Sequence, residues 1–154
     1  MIELQVSDEV LLKARKLAAD MGSLKGSIQR GDGNIYGFIG ELLHLQHYGG
    51  THDNTYEWDI VDPDGTKVDV KTKKTSVKPL PHYECSVTKS EKMQDCDAYS
   101  FVRVKNDLTV GWLLGTMSKD KYIKDAVHME KGDVDPSNGW ICKRECYNMA
   151  ISNL

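Results

Sequence analysis

Residues 57–74 read "EWDIVDPDGTKVDVKTKK", two strand-like runs around the tetrapeptide "DPDG". Proline at its second position and glycine at its fourth suit a type I turn followed by a left-handed Gly65, the three-residue hairpin loop with a bulge. Asp62 and Thr66 then close the loop. Counting outward sets Ile60 opposite Val68 and Asp59 opposite Asp69. Opposed residues of an antiparallel pair project to one face, with Cβ atoms about 4.5–5.5 Å apart. Lys71 lies two residues beyond Asp69 and shares that face, opposite Glu57. Carboxylates held so close repel, and a cation must offset them. A divalent metal is one source, since Mg²⁺ takes oxygen ligands from one or two carboxylates. A surface ion-pair ladder through Lys71 and Glu57 is the other.

Upstream, "VSDEVLLKARKLAADMG" has the spacing of an amphipathic helix, with Ser7 as N-cap and Val10, Leu11, Ala14, Leu17 and Ala18 on one face. A polar, glycine-rich connector, "GSLKGSIQRGDGN", carries Lys25 and Arg30. "IYGFIGELLHLQHY" follows as a second helix closed by Gly49 and Gly50, with Ile35, Phe38, Ile39, Leu42, Leu43 and Leu45 as its apolar set. Glu41 sits among those residues, either at the helix edge in water or directed at a partner. Gly37 and Gly40 would let this helix approach another backbone closely.

Downstream, strands are expected at 55–61, 66–72, 82–88, 98–105 and 108–118. "KSEKMQDC" reads as a short helix or turn, "SKDKYIKDAVHM" as a helix capped by Ser118, "GDVDPSNG" as a loop, and the C-terminus as a strand with a tail. The order implies a mixed α/β domain, with helices covering a central sheet.

A chain of 154 residues is one domain by length, spanning 1–154. Mean hydropathy is -0.49, and no run approaches the roughly 18 apolar residues of a membrane span. No secretory leader pattern opens the chain, so the four cysteines are expected as reduced thiols in an intracellular, cytoplasmic protein. Cys142 and Cys146 form one i,i+4 pair, without the second pair of a structural zinc site. A net charge of -3 argues against a general nucleic-acid coat protein. Residues 67–78, however, hold five lysines and one acid, a strip compatible with phosphate binding as well as with a solvated strand end.

A glutamate on an apolar helix (Glu41), then Asp59, then Asp69-Val70-Lys71 on a second strand, resembles the PD-(D/E)XK nuclease superfamily. That superfamily includes restriction enzymes, Holliday-junction resolvases and phage exonucleases. The resemblance covers about residues 34 to 105, and the flanking segments resemble small bacteriophage proteins with the same signature. Here the literal Pro63-Asp64 falls in the turn, and the first acid is carried to Asp59, which no proline precedes.

The resemblance implies a restriction-endonuclease-like core and a metal-dependent nuclease acting on DNA, in phage DNA processing or recombination inside an infected host cell. It implies Glu41, Asp59, Asp69 and the Val70 carbonyl as ligands of Mg²⁺ or Mn²⁺, and Lys71 as the group that orients water and stabilises phosphate charge. Lys73, Lys74 and Lys78, with Lys25 and Arg30, are the expected backbone contacts. His82, Glu84 and Gln94 are auxiliary candidates. A nucleic-acid-binding or assembly module without chemistry is the alternative. The acidic charge balance leaves room for a homodimer with a composite groove.

Overall fold

The computed structural model describes residues 1–21, 32–90, 92–136 and 139–154, so Lys25 and Arg30 lie outside the described residues. In chain order the elements are β1 (Ile2–Gln5), α1 (Asp8–Met21), α2 (Asp32–Tyr48), β2 (Thr51–His52), β3 (Ile60–Val61), β4 (Lys67–Thr75) and β5 (Glu84–Thr88). They continue with β6 (Ala98–Lys105), β7 (Val110–Ser118), α3 (Lys119–Asp125), β8 (Val127–Met129), β9 (Cys146–Ala150) and a final 3-10 turn (Ile151–Asn153).

Among the described residues the strands form two sheets. The larger has the order β1-β7-β6-β4-β3-β2, and the smaller β5-β9-β8. Only the β4–β6 pair of the larger sheet is parallel, running in register from Val68 opposite Ala98 to Thr75 opposite Lys105. Alternation along β4 and β6 sorts their side chains between two layers. Val68, Val70, Ala98, Val102 and Val104 face α1 and α2, packed against Ala14, Phe38, Ile39, Leu42 and Leu43. Tyr99 and Phe101 face the other way, toward Tyr122 of α3 and Cys85, Val87 and Met149 of the small sheet.

Local signals account for both long helices. Ser7 caps α1, its Oγ accepting the Val10 N–H at 3.2 Å, and Ala14 on the apolar face is fully buried. Gly49 ends α2 at φ +81° and donates its N–H to the Leu45 carbonyl. Of the two α2 glycines, Gly40 makes the close approach. A Cβ there would collide with the Thr72 side chain of β4, whereas one at Gly37 would meet only ordinary contact.

Several expectations are corrected. The strand expected over 55–61 pairs only at its last two residues, because residues 53–59 fold back through Asn54, which has a positive φ of 48°. The segment 89–96, read as a short helix or turn, contains no helix among its described residues. The third strand, β5, does not extend the hairpin sheet. The free edge of β4 is taken by β6, and β5 pairs with β9 instead. Two short edge strands, β1 and β2, were not anticipated. Ser118 makes no side-chain cap to α3.

Candidate active site

The hairpin turn forms as its residues dictate. Asp62 and Thr66 close it, the Asp62 N–H donating to the Thr66 carbonyl at 2.9 Å, and Gly65 has φ +90°. Ile60 pairs with Val68 as counted. The ladder stops there. Asp59 donates its N–H to the Val68 carbonyl at 3.0 Å, so it leaves the register that would set it squarely across from Asp69.

Asp59 is instead fixed by its own hydrogen bonds. Its carbonyl accepts the N–H groups of Asp53 and Asn54, each at 2.9 Å. Its Oδ2 accepts the Val70 N–H at 2.7 Å. That N–H faces the edge of β4 from which β3 has departed, and a strand residue sends its N–H and C=O to the same side. The Val70 carbonyl therefore borders the same opening.

Three acids share this neighbourhood. Burial pushes the Asp59 pKa up from 3.8 to about 8, and the charges of Glu41 and then Asp69 push the same way, against the Val70 N–H and Lys71. Charges act on one another more strongly where little water lies between them. Asp59, at the edge of the sheet, thus feels Glu41 from the helix layer and Asp69 from the opposite face of β4. Glu41 is buried at 7% exposure and Asp69 at 4%.

Each acid also has a partner. His52 Nε2 lies 2.6 Å from Glu41 Oε2. Lys71 Nζ lies 2.6 Å from Asp69 Oδ2, yet that buried oxygen receives no aligned hydrogen bond. The ammonium neutralises it as a charge without satisfying its lone pairs. Lys71 Nζ also donates to Gln94 Oε1 at 3.3 Å, and its side chain borders a cleft of 250 Å³ with Tyr56, Ser86, Thr88, Lys92 and Gln94.

The donor chemistry suits a hard, oxygen-seeking dication: carboxylates, one main-chain carbonyl and an oxygen lacking a hydrogen bond. The side-chain directions suit it less. Among the described residues, no three His, Cys, Asp or Glu side chains are grouped so as to hold a metal ion. His52, the Val70 N–H and Lys71 each draw one acid its own way.

The remaining candidates divide. Gln94 joins the site. Glu57 does not face Lys71. Its carboxylate accepts the Asp95 N–H at 2.7 Å and pairs with Lys92 at 3.1 Å. His82 and Glu84 line a separate cleft with Lys73 and Arg103, because β5 belongs to the second sheet. The lysines do not form one strip. Lys73 donates to Ser86 Oγ at 2.6 Å, Lys74 turns to the helix layer over the Tyr36 ring at 4.2 Å, and Lys78 pairs with Glu3 of β1 at 3.0 Å. Cys142 and Cys146 are free thiols with sulfurs 3.6 Å apart. His52 was missed because a histidine in "THDN" carries no motif, and only the fold brings β2 beside α2.

No known protein family matches the chain, and no curated relative matches it. Among the described residues no helix is long and apolar enough to cross a membrane.

Proposed function

We propose that the chain is a Mg²⁺- or Mn²⁺-dependent nuclease of the PD-(D/E)XK kind, hydrolysing phosphodiester bonds of DNA in bacteriophage DNA processing or recombination. The observation that carries this reading is the placing of Asp59, whose Oδ2 accepts the N–H of Val70, the residue between Asp69 and Lys71, at 2.7 Å. Glu41 from a helix and Asp69 from a strand both bear on it, and a lysine stands two residues beyond Asp69. Such a concentration of acid destabilises a fold that only has to be stable.

Glu41, Asp59, Asp69 and the Val70 carbonyl are the groups that would hold the ion. When bound, the ion lowers the pKa of a coordinated water and neutralises charge on phosphate. Lys71 does the rest from the protein side. Its ammonium lies between Asp69 and Gln94 at the border of the cleft, where it can hold a water and donate to a phosphate oxygen as negative charge grows there. By the resemblance, the products are a 5′-phosphate and a 3′-hydroxyl. A cytoplasmic setting in an infected cell, and a dimer that completes the groove, belong to the same proposal.

The test uses linear, circular and branched DNA with Mg²⁺ or Mn²⁺. Wild type is expected to cleave at least one of these, and Lys71→Ala to lose roughly 100-fold or more in rate. No cleavage by wild type, or equal rates in the two proteins, ends this reading. The separate partners of the three acids favour a second one, a DNA-binding or assembly module that has lost the chemistry. That module would bind DNA without metal and leave it intact.

A further inference from the structure

β4 presents Asp69, Lys71 and Lys73 on one face, successive members of that set standing two residues apart. At a strand rise of about 3.3 Å per residue, Lys71 and Lys73 are roughly 6.6 Å apart along the strand, comparable to one nucleotide step. Lys73 is level with Arg103 of the parallel neighbour β6. The two cations border a cleft of 530 Å³. Ser86 lines both this cleft and the smaller one over Lys71, which makes the two adjoin.

Among the described residues, neither cation has a carboxylate within ion-pair distance. Lys73 holds the Ser86 hydroxyl at 2.6 Å, and Arg103 Nη2 donates to the Glu84 carbonyl at 2.8 Å. These are their only hydrogen bonds among the described residues, so the other guanidinium and ammonium donors remain for a ligand. Lys73 is exposed as a side chain, but the surrounding protein, followed by the charge of Arg103, holds its pKa below the ordinary value. Burial does the same to Arg103. Glu84 and Asp135 line this cleft and also border a second one that Lys73 and Arg103 do not line. The cleft therefore has a cationic wall on the β4–β6 side and an acidic one on the small-sheet side.

We propose that Lys73, Arg103 and the Ser86 hydroxyl bind the backbone phosphate one nucleotide away from the phosphate held at Lys71, so that a DNA strand runs along β4. This rests on the nuclease reading for the position of the scissile phosphate, but the cleft itself is an independent phosphate site. It commits Lys73 and Arg103 to the same strand, and leaves Lys74 and Lys78 out of the contact.

The test is anisotropy of a labelled single-stranded DNA with Ca²⁺ in place of Mg²⁺, over a salt series, for wild type, Lys73→Gln, Arg103→Gln and Arg103→Lys. Each Gln variant is expected to bind roughly fivefold to tenfold more weakly and to lower the salt slope by about one, while Arg103→Lys keeps the slope. In cleavage, the Gln variants raise KM with little change in kcat. Thermal melts confirm that the variants are folded, and Lys73→Gln, at an exposed side chain, decides the matter if Arg103→Gln is not. Unchanged affinity and slope in the folded Gln variants, or no DNA binding by wild type, overturns the proposal. Binding that depends on both cations with no cleavage in Mg²⁺ or Mn²⁺ sinks the nuclease reading and leaves this cleft standing. Cleavage with KM unaltered in both variants does the reverse.

Discussion

At the scale of single residues, Asp59 concentrates the cost of the site. A carboxyl whose folded pKa is raised stabilises the fold while protonated. The contribution is full below the unfolded value near 3.8 and is lost as pH rises through about 8. The metal-free protein should therefore lose stability through this group across that window. Asp59→Asn keeps an oxygen for the Val70 N–H and removes the charge. In calorimetry, this variant's Tm is expected to exceed wild type by an amount that grows from pH 4 to pH 8, and it should no longer rise on adding Mn²⁺. A Tm difference independent of pH would count against the raised pKa. His52 acts one step further out, holding Glu41. His52→Ala is expected to weaken Mn²⁺ binding about tenfold in titration calorimetry, the usual scale for a group that orients a ligand.

At the scale of elements, the contact between α2 and β4 decides where Glu41 points. Gly40 lies on Thr72, and the next residue carries the carboxylate. Gly40→Ala should push the helix from the strand and cost about 1–3 kcal/mol in urea unfolding, with a loss of cleavage larger than a remote variant of equal stability shows. The helix is also tied to the hairpin turn. His44 is almost fully buried, with Nδ1 2.9 Å from Ser100 Oγ and Nε2 2.9 Å from Asp62 Oδ1. That bridge spans α2, β6 and the hairpin turn. The apolar face of α2, the turn chemistry of "DPDG" and the alternation of β4 were legible because each is set within a few neighbouring residues. The end of the ladder at Ile60 was not, because it depends on how residues 53–59 fold back onto Asp59.

At the scale of the whole molecule, α3 joins the two sheets. Tyr122 is fully buried, and its hydroxyl lies 2.9 Å from the carbonyls of both Cys85 and Tyr147 on neighbouring strands of the small sheet. Its ring packs on Tyr99 and Phe101 of the large one. Tyr122→Phe keeps the ring and strips the hydroxyl, so two-state urea unfolding should show a loss of about 1–2 kcal/mol. A change within 0.3 kcal/mol of zero would assign the docking to apolar contact alone.

The amino-acid order by itself determined the α/β character, both long helices, the 62–66 turn, the pairing of Ile60 with Val68 and the placing of Asp69 and Lys71 on one side of a strand. These follow from periodicity and turn stereochemistry, which act between close neighbours. Only the tertiary structure decided that β5 leaves the hairpin for a second sheet, that His52 meets Glu41, and that Arg103 stands beside Lys73. Strand partners are chosen by competition among edges far apart in the chain, and no local pattern records which edge wins.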